Sequence, residues 1–201
     1  MTDGNAFLPS QSGSRLLQQR LLIVTKDYEY FKNLRDSLGI SPRQVGVRNI
    51  ASREAFNVVK EANRPPHSDP VYCLFDGDKW LQGNQHGIKM AQKEIETNGY
   101  IGVPSTPCFE VWILWHFQDI PAESLTPDIS GAYCPSVISQ LLGCLPNYNP
   151  GSENLYSQLS DKEDNALQRA HLPANAGACS FANPSTKVHE LVEKLRQMAR
   201  K

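Results

Sequence analysis

The sequence lacks any pair of cysteines at metal-ligand or redox spacing. The cysteines are odd in number and far apart, at Cys73, Cys108, Cys134, Cys144 and Cys179. This pattern encodes neither an evident disulfide framework nor a zinc site. We therefore expect reduced thiols in a cytosolic protein.

An excess of charge of either sign is also missing. Lys and Arg together number 20 and Asp and Glu number 21, so the formal net charge is −1. A domain that binds nucleic acid over a large surface usually shows a basic excess. Any contact with DNA or RNA is therefore expected to come from a local patch or from a partner protein.

Long apolar runs are absent as well. The most continuous run, Val111 to Trp115, is far shorter than the about 20 residues that a transmembrane helix needs. The first residues lack a basic segment followed by an apolar one, which argues against a secretory signal. We expect a cytoplasmic chain with no membrane role, a flexible tail over residues 1–19 and a single domain over 20–201.

What is present is an alternation of short apolar runs with helical spacing, the pattern that builds a parallel sheet covered by helices. The predicted strands span 21–24, 45–50, 71–75 and 100–103, and a helix follows each of the first three. Residues of about 121–182 predict a loop-rich helical insertion, and an amphipathic helix is expected after Pro184. The sequence thus predicts an α/β fold: a mostly parallel, Rossmann-like sheet flanked by helices, with a helical C-terminal part.

The segment from Thr106 carries two signals of a helix start. Thr106 is a capping-type residue, and Pro107 would take the first helical position, where its missing N–H costs nothing. The helix would run to Phe117 and be apolar on every face except at Glu110 and His116. We therefore expect it to be buried on most sides.

The main functional signal is Asp76-Gly77-Asp78, which leaves the third predicted strand. Ligands of open α/β sheets lie beyond the carboxyl ends of the strands. Two carboxylates two apart on an extended segment point to the same side, and Mg²⁺ is usually held by one or two carboxylates with waters and phosphates. A metal pair of Asp76 and Asp78 is one interpretation. An ordinary turn, which Asp and Gly also favour, is the other.

Other ionisable residues are candidates for the same crevice. Glu110 is costly in an apolar helix unless it is paired or faces a site, although a helix dipole also favours a carboxylate in the first turn. A histidine in an apolar helix, such as His116, is more often a structural core residue than a catalytic one. Lys26 and Asp27 follow the first strand, and a helix cap is the expected role of Asp27.

Three stretches in register resemble the RloB family of prokaryotic defence-associated proteins. They are Phe75-Asp76-Gly77-Asp78, then Pro107-Cys108-Phe109-Glu110-Val111-Trp112 with His116-Phe117, and Asn183-Pro184-Ser185-Thr186 with Val188-His189 and Leu191-Val192. Leu145-Pro146-Asn147-Tyr148 is compatible with the family, and the resemblance covers roughly residues 20 to 196.

The resemblance implies a Toprim-like fold and a place beside an ATPase in an anti-phage system. It implies that Asp76 and Asp78 hold Mg²⁺ and that Glu110 is a further acidic residue of the site. A divalent ion of this kind stabilises the attacking and leaving oxygens of phosphodiester cleavage.

The chain departs from the family pattern at two places. Family members usually follow the first strand with a loop of the form EGEKTEP, and here that loop is shortened and its glutamate is missing. Asp27 or Glu29 could substitute, and Gly77 stands where the family usually has an arginine.

Two interpretations follow: a Mg²⁺-dependent nuclease acting on DNA or RNA, or a catalytically degenerate structural or regulatory subunit of a defence complex. A third, phosphoryl transfer through an aspartyl phosphate, rests only on an Asp-Gly-Asp sequence after an apolar strand.

Overall fold

A computed structural model describes residues 21–63, 70–172 and 181–200, and within them a mostly parallel sheet forms the centre of the fold. Its strands are β1 (Leu21–Thr25), β2 (Val45–Asn49), β3 (Val71–Asp76), β4 (Ile101–Thr106) and β5 (Ser185–Thr186). Their order is β2-β1-β3-β4-β5, with β5 antiparallel to β4 and the other pairs parallel. The predicted α/β class is confirmed.

Helices connect the strands and make up most of the C-terminal part. They are α1 (Tyr28–Ser37), α2 (Ala55–Ala62), α3 (Asp78–Leu81), α4 (His86–Asn98), α5 (Glu110–Trp115), α6 (Cys134–Cys144), α7 (Glu163–Ala170) and α8 (Val188–Ala199), with short 3-10 turns at Ala122–Ser124, Tyr156–Gln158 and Ser160–Lys162. No helix of the described residues combines the length and apolar character needed to cross a bilayer.

Side chains alternate between the two faces of the sheet, which therefore separates two hydrophobic cores. Leu21 and Ile23 of β1 pack into the larger core with α1, α5, α6, α7 and α8. Leu22 and Val24 pack into the smaller core with α2 and α4. Because both faces are covered, the central strands β1 and β3 read as nearly continuous apolar runs in the sequence.

The strand order reverses between β1 and β3. From β1 the chain moves outward to β2, and from β3 it moves to β4 on the other side. In doubly wound sheets, ligands bind in the crevice outside the carboxyl ends of the strands at this kind of switch point. The residues that follow β1 and β3, beginning at Lys26 and Gly77, therefore border the expected site.

The predicted start of the buried helix is wrong. Thr106 ends β4 and pairs with Ser185, while α5 begins at Glu110. The sheet extended β4 through the residues that carry the capping signal, so pairing with a distant strand outweighed a local preference. The predicted burial is confirmed, because every residue of α5 is at most 1% exposed.

The end of the chain shows a further difference. Ser185 and Thr186 form the short strand β5, so the last helix begins at Val188 and not directly after Pro184. Ser105 and Thr186 join through their hydroxyl oxygens at 2.7 Å, which ties β5 to β4. The tail predicted over residues 1–19 lies outside the described residues.

Candidate functional site

Asp76 is the last residue of β3 and faces the switch point. Its Oδ1 accepts a hydrogen bond of 3.1 Å from the backbone N–H of Phe109, and its Oδ2 lies 3.9 Å from Nη1 of Arg53. Its own N–H donates to the Arg53 carbonyl at 2.9 Å, which fastens the loop before α2 to the end of β3. Asp76 is thus held in place by two other segments of the chain.

Asp78 has different surroundings. It is the first residue of α3, because the chain turns at Gly77, so the extended backbone assumed for the two carboxylates ends at Asp76. One oxygen of Asp78 accepts from the backbone N–H of Tyr133 at 2.9 Å and the other from Nε2 of Gln82 at 2.6 Å. The structure does not bring Asp78 into the ion-pair group of Asp76, and its metal role stays a prediction.

Asp27 joins Asp76 instead. It occupies the N-cap position of α1, as expected, but its side chain makes no capping bond. The carboxylate is buried and its Oδ1 lies 2.5 Å from Nη2 of Arg53. Asp27 lies two residues after the end of β1, on the other side of the switch point from Asp76.

Glu110 completes the group from the first turn of α5. It is 1% exposed, and its Oε1 accepts hydrogen bonds from Nη1 of Arg53 at 2.8 Å and from the Tyr148 hydroxyl at 2.9 Å. Its Oε2 is buried without a hydrogen-bond partner among the described residues. The requirement that a carboxylate in this helix be paired or face a site is therefore met by Arg53.

Arg53 is the residue that sequence reasoning missed. It lies between β2 and α2 and touches carboxylates that follow β1, end β3 and begin α5. The rule that sites form at the carboxyl ends of strands also covers the loop after β2, so it could have drawn attention to this residue. Tyr148 was part of a family-like motif but had no predicted role.

The electrostatics of the group are dominated by burial and by a shortage of positive charge. Burial raises the pKa of Asp27 to about 6, against the opposing charge of Arg53. Burial also raises the pKa of Asp76 well above its usual range, and the neighbouring carboxylates raise it further. For Glu110 burial likewise acts to raise the pKa, but the charge and hydrogen bond of Arg53 outweigh it and the net pKa is lowered.

No side chain fits at Gly77, where the family usually has an arginine. A Cβ atom added there would overlap the Thr106 hydroxyl and lie 3.1 Å from the Phe181 ring. Arg53 brings a guanidinium beside Asp76 from a different loop. Its Nη1 lies 3.9 Å from Oδ2 of Asp76.

Asp76 also borders two cavities of different size. A small one of about 10 Å³, enough for a single water, is lined by Asp27, Arg53, Leu74, Phe75, Asp76, Ser105 and Phe109. An outer cleft of about 140 Å³ is lined by Glu54, Ala55, Phe56, Asp76, Lys79, Asn84, His86, Gly87 and Ile88. Asp76 is the residue of the acidic group that this cleft reaches.

The remaining candidates lie elsewhere. His116 is buried, its Nδ1 lies 2.9 Å from the Trp112 carbonyl, and burial lowers its pKa to about 4, as expected of a neutral core histidine. Glu29 pairs with Lys32 on α1, and Lys26 is exposed. Of the two proposed substitutes for the missing glutamate, the structure brings Asp27 to Asp76.

Comparison with known proteins identifies the family. A family model described as RloB-like protein matches residues 21–195. The chain belongs to the RloB family. No curated protein and no solved structure gave a match.

The RloB-like stretches of the sequence surround the acidic group. The first supplies Asp76, and the second supplies the Phe109 N–H and Glu110. The last forms β5 and the start of α8, beside β4. Tyr148, from the stretch between them, donates to Glu110.

The donor set of this RloB-family site suits a divalent cation in its chemistry. Carboxylate oxygens are the ligands that Mg²⁺ prefers, and Glu110 Oε2 has no other partner among the described residues. In the arrangement seen here the carboxylates face Arg53. Within the described ranges no group of three or more His, Cys, Asp and Glu side chains is set to hold a metal ion.

Proposed function

We propose that this RloB-family chain is a cytoplasmic component of a prokaryotic anti-phage defence system, where it acts with a partner ATPase as a Toprim-like, Mg²⁺-dependent nuclease on DNA or RNA. The observation that supports this most is the position of Asp27. Its carboxylate shares Arg53 with Asp76 and Glu110, and it lies in the segment after β1 where the family resemblance implies a glutamate.

In this proposal Asp27, Asp76 and Glu110 hold the metal, with Asp78 as the ligand implied by the family resemblance. Bound Mg²⁺ would stabilise the attacking and leaving oxygens of the phosphodiester. The Phe109 N–H orients Asp76, and the Tyr148 hydroxyl orients Glu110. The outer cleft is lined by Lys79 as well as by Asp76 and Glu54, so the ammonium of Lys79 is the group that would meet a substrate phosphate there.

The second candidate is a structural or regulatory subunit of a defence complex that no longer cuts. The contacts of Arg53 favour it, because a guanidinium already pairs with carboxylates that would bind the metal. The two candidates agree on the family and on the partner, and they differ in whether the acidic group ever performs chemistry.

A cleavage assay separates them. The purified full chain is incubated with labelled DNA and RNA in MgCl₂ or MnCl₂, with and without the proposed partner ATPase. We expect metal-dependent cutting that falls by about 100-fold or more in Asp76→Asn and in Asp27→Asn. Asp161→Asn, at an exposed acidic position, is the matched control and should cut like the wild type.

The Asp78→Asn variant tests the ligand pair implied by the resemblance. Loss of cutting in this variant would support Asp78 as a metal ligand. Normal cutting would support Asp27, and not Asp78, as the third carboxylate of the site. If the wild-type chain cuts neither substrate with the metal and the ATPase present, the nuclease is refuted and the non-cutting subunit takes its place.

A further inference from the structure

We propose that Arg53 is an exchangeable internal cation, which holds the acidic group of Asp27, Asp76 and Glu110 closed to divalent metal ions until its side chain swings into the outer cleft. The inference concerns the site of the proposed function. It is tested by metal binding, and it stands or falls separately from cleavage.

Negative groups outnumber positive ones around Arg53. Its guanidinium lies 2.5 Å from Asp27, 2.8 Å from Glu110 and 3.9 Å from Asp76. Three carboxyl groups thus face a single guanidinium in a largely buried place, which is more than one arginine can pair fully. A divalent ion would balance the carboxylates better than an arginine does, because an uncompensated buried charge is costly.

The guanidinium of Arg53 is incompletely hydrogen-bonded. Each carboxylate receives one nitrogen, not the two-nitrogen fork that makes arginine pairs strong, and Nε is buried without a partner among the described residues. The side chain is 18% exposed, so it has contact with solvent. Arg53 therefore makes incomplete use of its donors in this position.

The outer cleft lies next to Arg53 and gives its side chain a second place to go. It is lined by Glu54, Ala55 and Phe56, which directly follow Arg53, and by Asp76. The Arg53 carbonyl accepts a hydrogen bond from the Asp76 N–H, so in this proposal the backbone stays in place and only the side chain rotates. Rotation would take the guanidinium from the carboxylates into the cleft where the proposed substrate enters, and arginine binds phosphate well.

Arg196 offers a matched comparison. It also pairs with a buried glutamate, Glu163, and its second partner is Asp164, which is 87% exposed. Removing Arg196 therefore removes a similar ion pair without leaving a group of three carboxylates. A metal site should appear only when the arginine at position 53 is removed.

The experiment is a calorimetric titration of MnCl₂ into the full chain near neutral pH. We expect Arg53→Gln to bind one Mn²⁺ per chain at least about tenfold more tightly than the wild type, and to gain thermal stability as Mn²⁺ is added. The Arg196→Gln variant should bind Mn²⁺ no more tightly than the wild type, and adding Asp76→Asn to Arg53→Gln should remove the gain.

An Arg53→Lys variant keeps the test decisive if Arg53→Gln does not fold. One ammonium cannot offer separate nitrogens to Asp27 and Glu110 as a guanidinium does, so its Mn²⁺ affinity should exceed that of the wild type. Equal affinity of the wild type and the Arg53 variants, or no binding by any of them, overturns the inference. A wild type that never cuts, beside an Arg53→Gln variant that binds Mn²⁺, refutes the nuclease and supports the role of Arg53.

Discussion

Two buried glutamates of this chain each pair with an arginine, but in different parts of the fold. Glu110 meets Arg53 at the carboxyl ends of the strands, and Glu163 of α7 meets Arg196 of α8. Both glutamate side chains are 2% exposed, and each has one buried oxygen without a partner among the described residues. Burial and pairing with arginine therefore do not by themselves distinguish a site from a structural ion pair.

The number of carboxylates around each arginine does distinguish them. Arg53 faces three carboxylates in largely buried positions, whereas the second partner of Arg196 is open to solvent. The net pKa of Glu110 is lowered and that of Glu163 is raised, because burial outweighs the charge of Arg196 but not that of Arg53. Of these two arginines, Arg53 is the one that faces more buried carboxyl groups than it can pair, and it lies at the switch point, where a doubly wound fold binds its ligands.

The largest expected effect is the loss of stability on removing Arg53. Arg53→Met leaves the carboxylates of Asp27 and Glu110 buried without a cation, so we expect the free energy of unfolding to fall by about 3–5 kcal/mol. Arg196→Met should cost less, because Asp164 is already solvated. Urea denaturation at neutral pH measures both losses of unfolding free energy. Equal losses would show that the two arginines contribute equally to stability and would contradict the distinction drawn here.

A smaller effect is expected from Asp27 as the pH changes. Its folded pKa of about 6 is above its ordinary value of 3.8. The stability it contributes is therefore present below pH 3.8 and lost as the pH rises through about 6. Asp27→Asn removes this loss, so its free energy of unfolding relative to the wild type should rise across that window by up to about 3 kcal/mol. Chemical denaturation at a series of pH values measures the difference, and a flat profile would contradict the prediction.

Opposite pH dependence is expected at the two glutamates. The lowered pKa of Glu110 means that its stabilisation is present above its ordinary value of 4.5 and lost as the pH falls, so Glu110→Gln should cost less on acidification. The raised pKa of Glu163 means that its stabilisation is present below 4.5 and lost as the pH rises, so Glu163→Gln should cost less towards neutral pH. Slopes of the same sign in the two variants would remove the proposed distinction.

The smallest expected effect is at the exposed partner of Arg196. Asp164 lies 2.6 Å from Arg196 but is 87% exposed, and ion pairs in water contribute little. Asp164→Asn should change the free energy of unfolding by no more than about 1 kcal/mol. A larger loss in thermal or urea denaturation would mean that the α7–α8 pair is a cooperative group like the one at Arg53.

The helices and strands with strong periodicity could be predicted because burial on both faces of a sheet is written locally as apolar runs. The exceptions arose where contacts with residues far away in the sequence determined the local structure. Thr106 joined the sheet through β5, which at two residues is too short to show a period. Phe56, an apolar residue of α2, is 40% exposed and lines the outer cleft.

The candidate site could be predicted in part for the same reason. Asp76 and Glu110 stood out locally, one at the end of an apolar strand and the other in an apolar helix. Arg53 did not, because an arginine in a polar loop looks like any solvated residue. The same holds for Tyr148, whose hydroxyl meets Glu110 across 38 positions of sequence.

The sequence by itself determined the alternation of strands and helices, the burial of α5, the family, and the presence of acidic residues at strand ends. Tertiary structure alone decided which charges meet. Arg53 contacts Asp27 across 26 positions and Glu110 across 57, and Asp78 turns away to Tyr133. Periodicity records whether a residue is buried, but the charge balance of a site depends on which loops the strand order brings to one edge of the sheet.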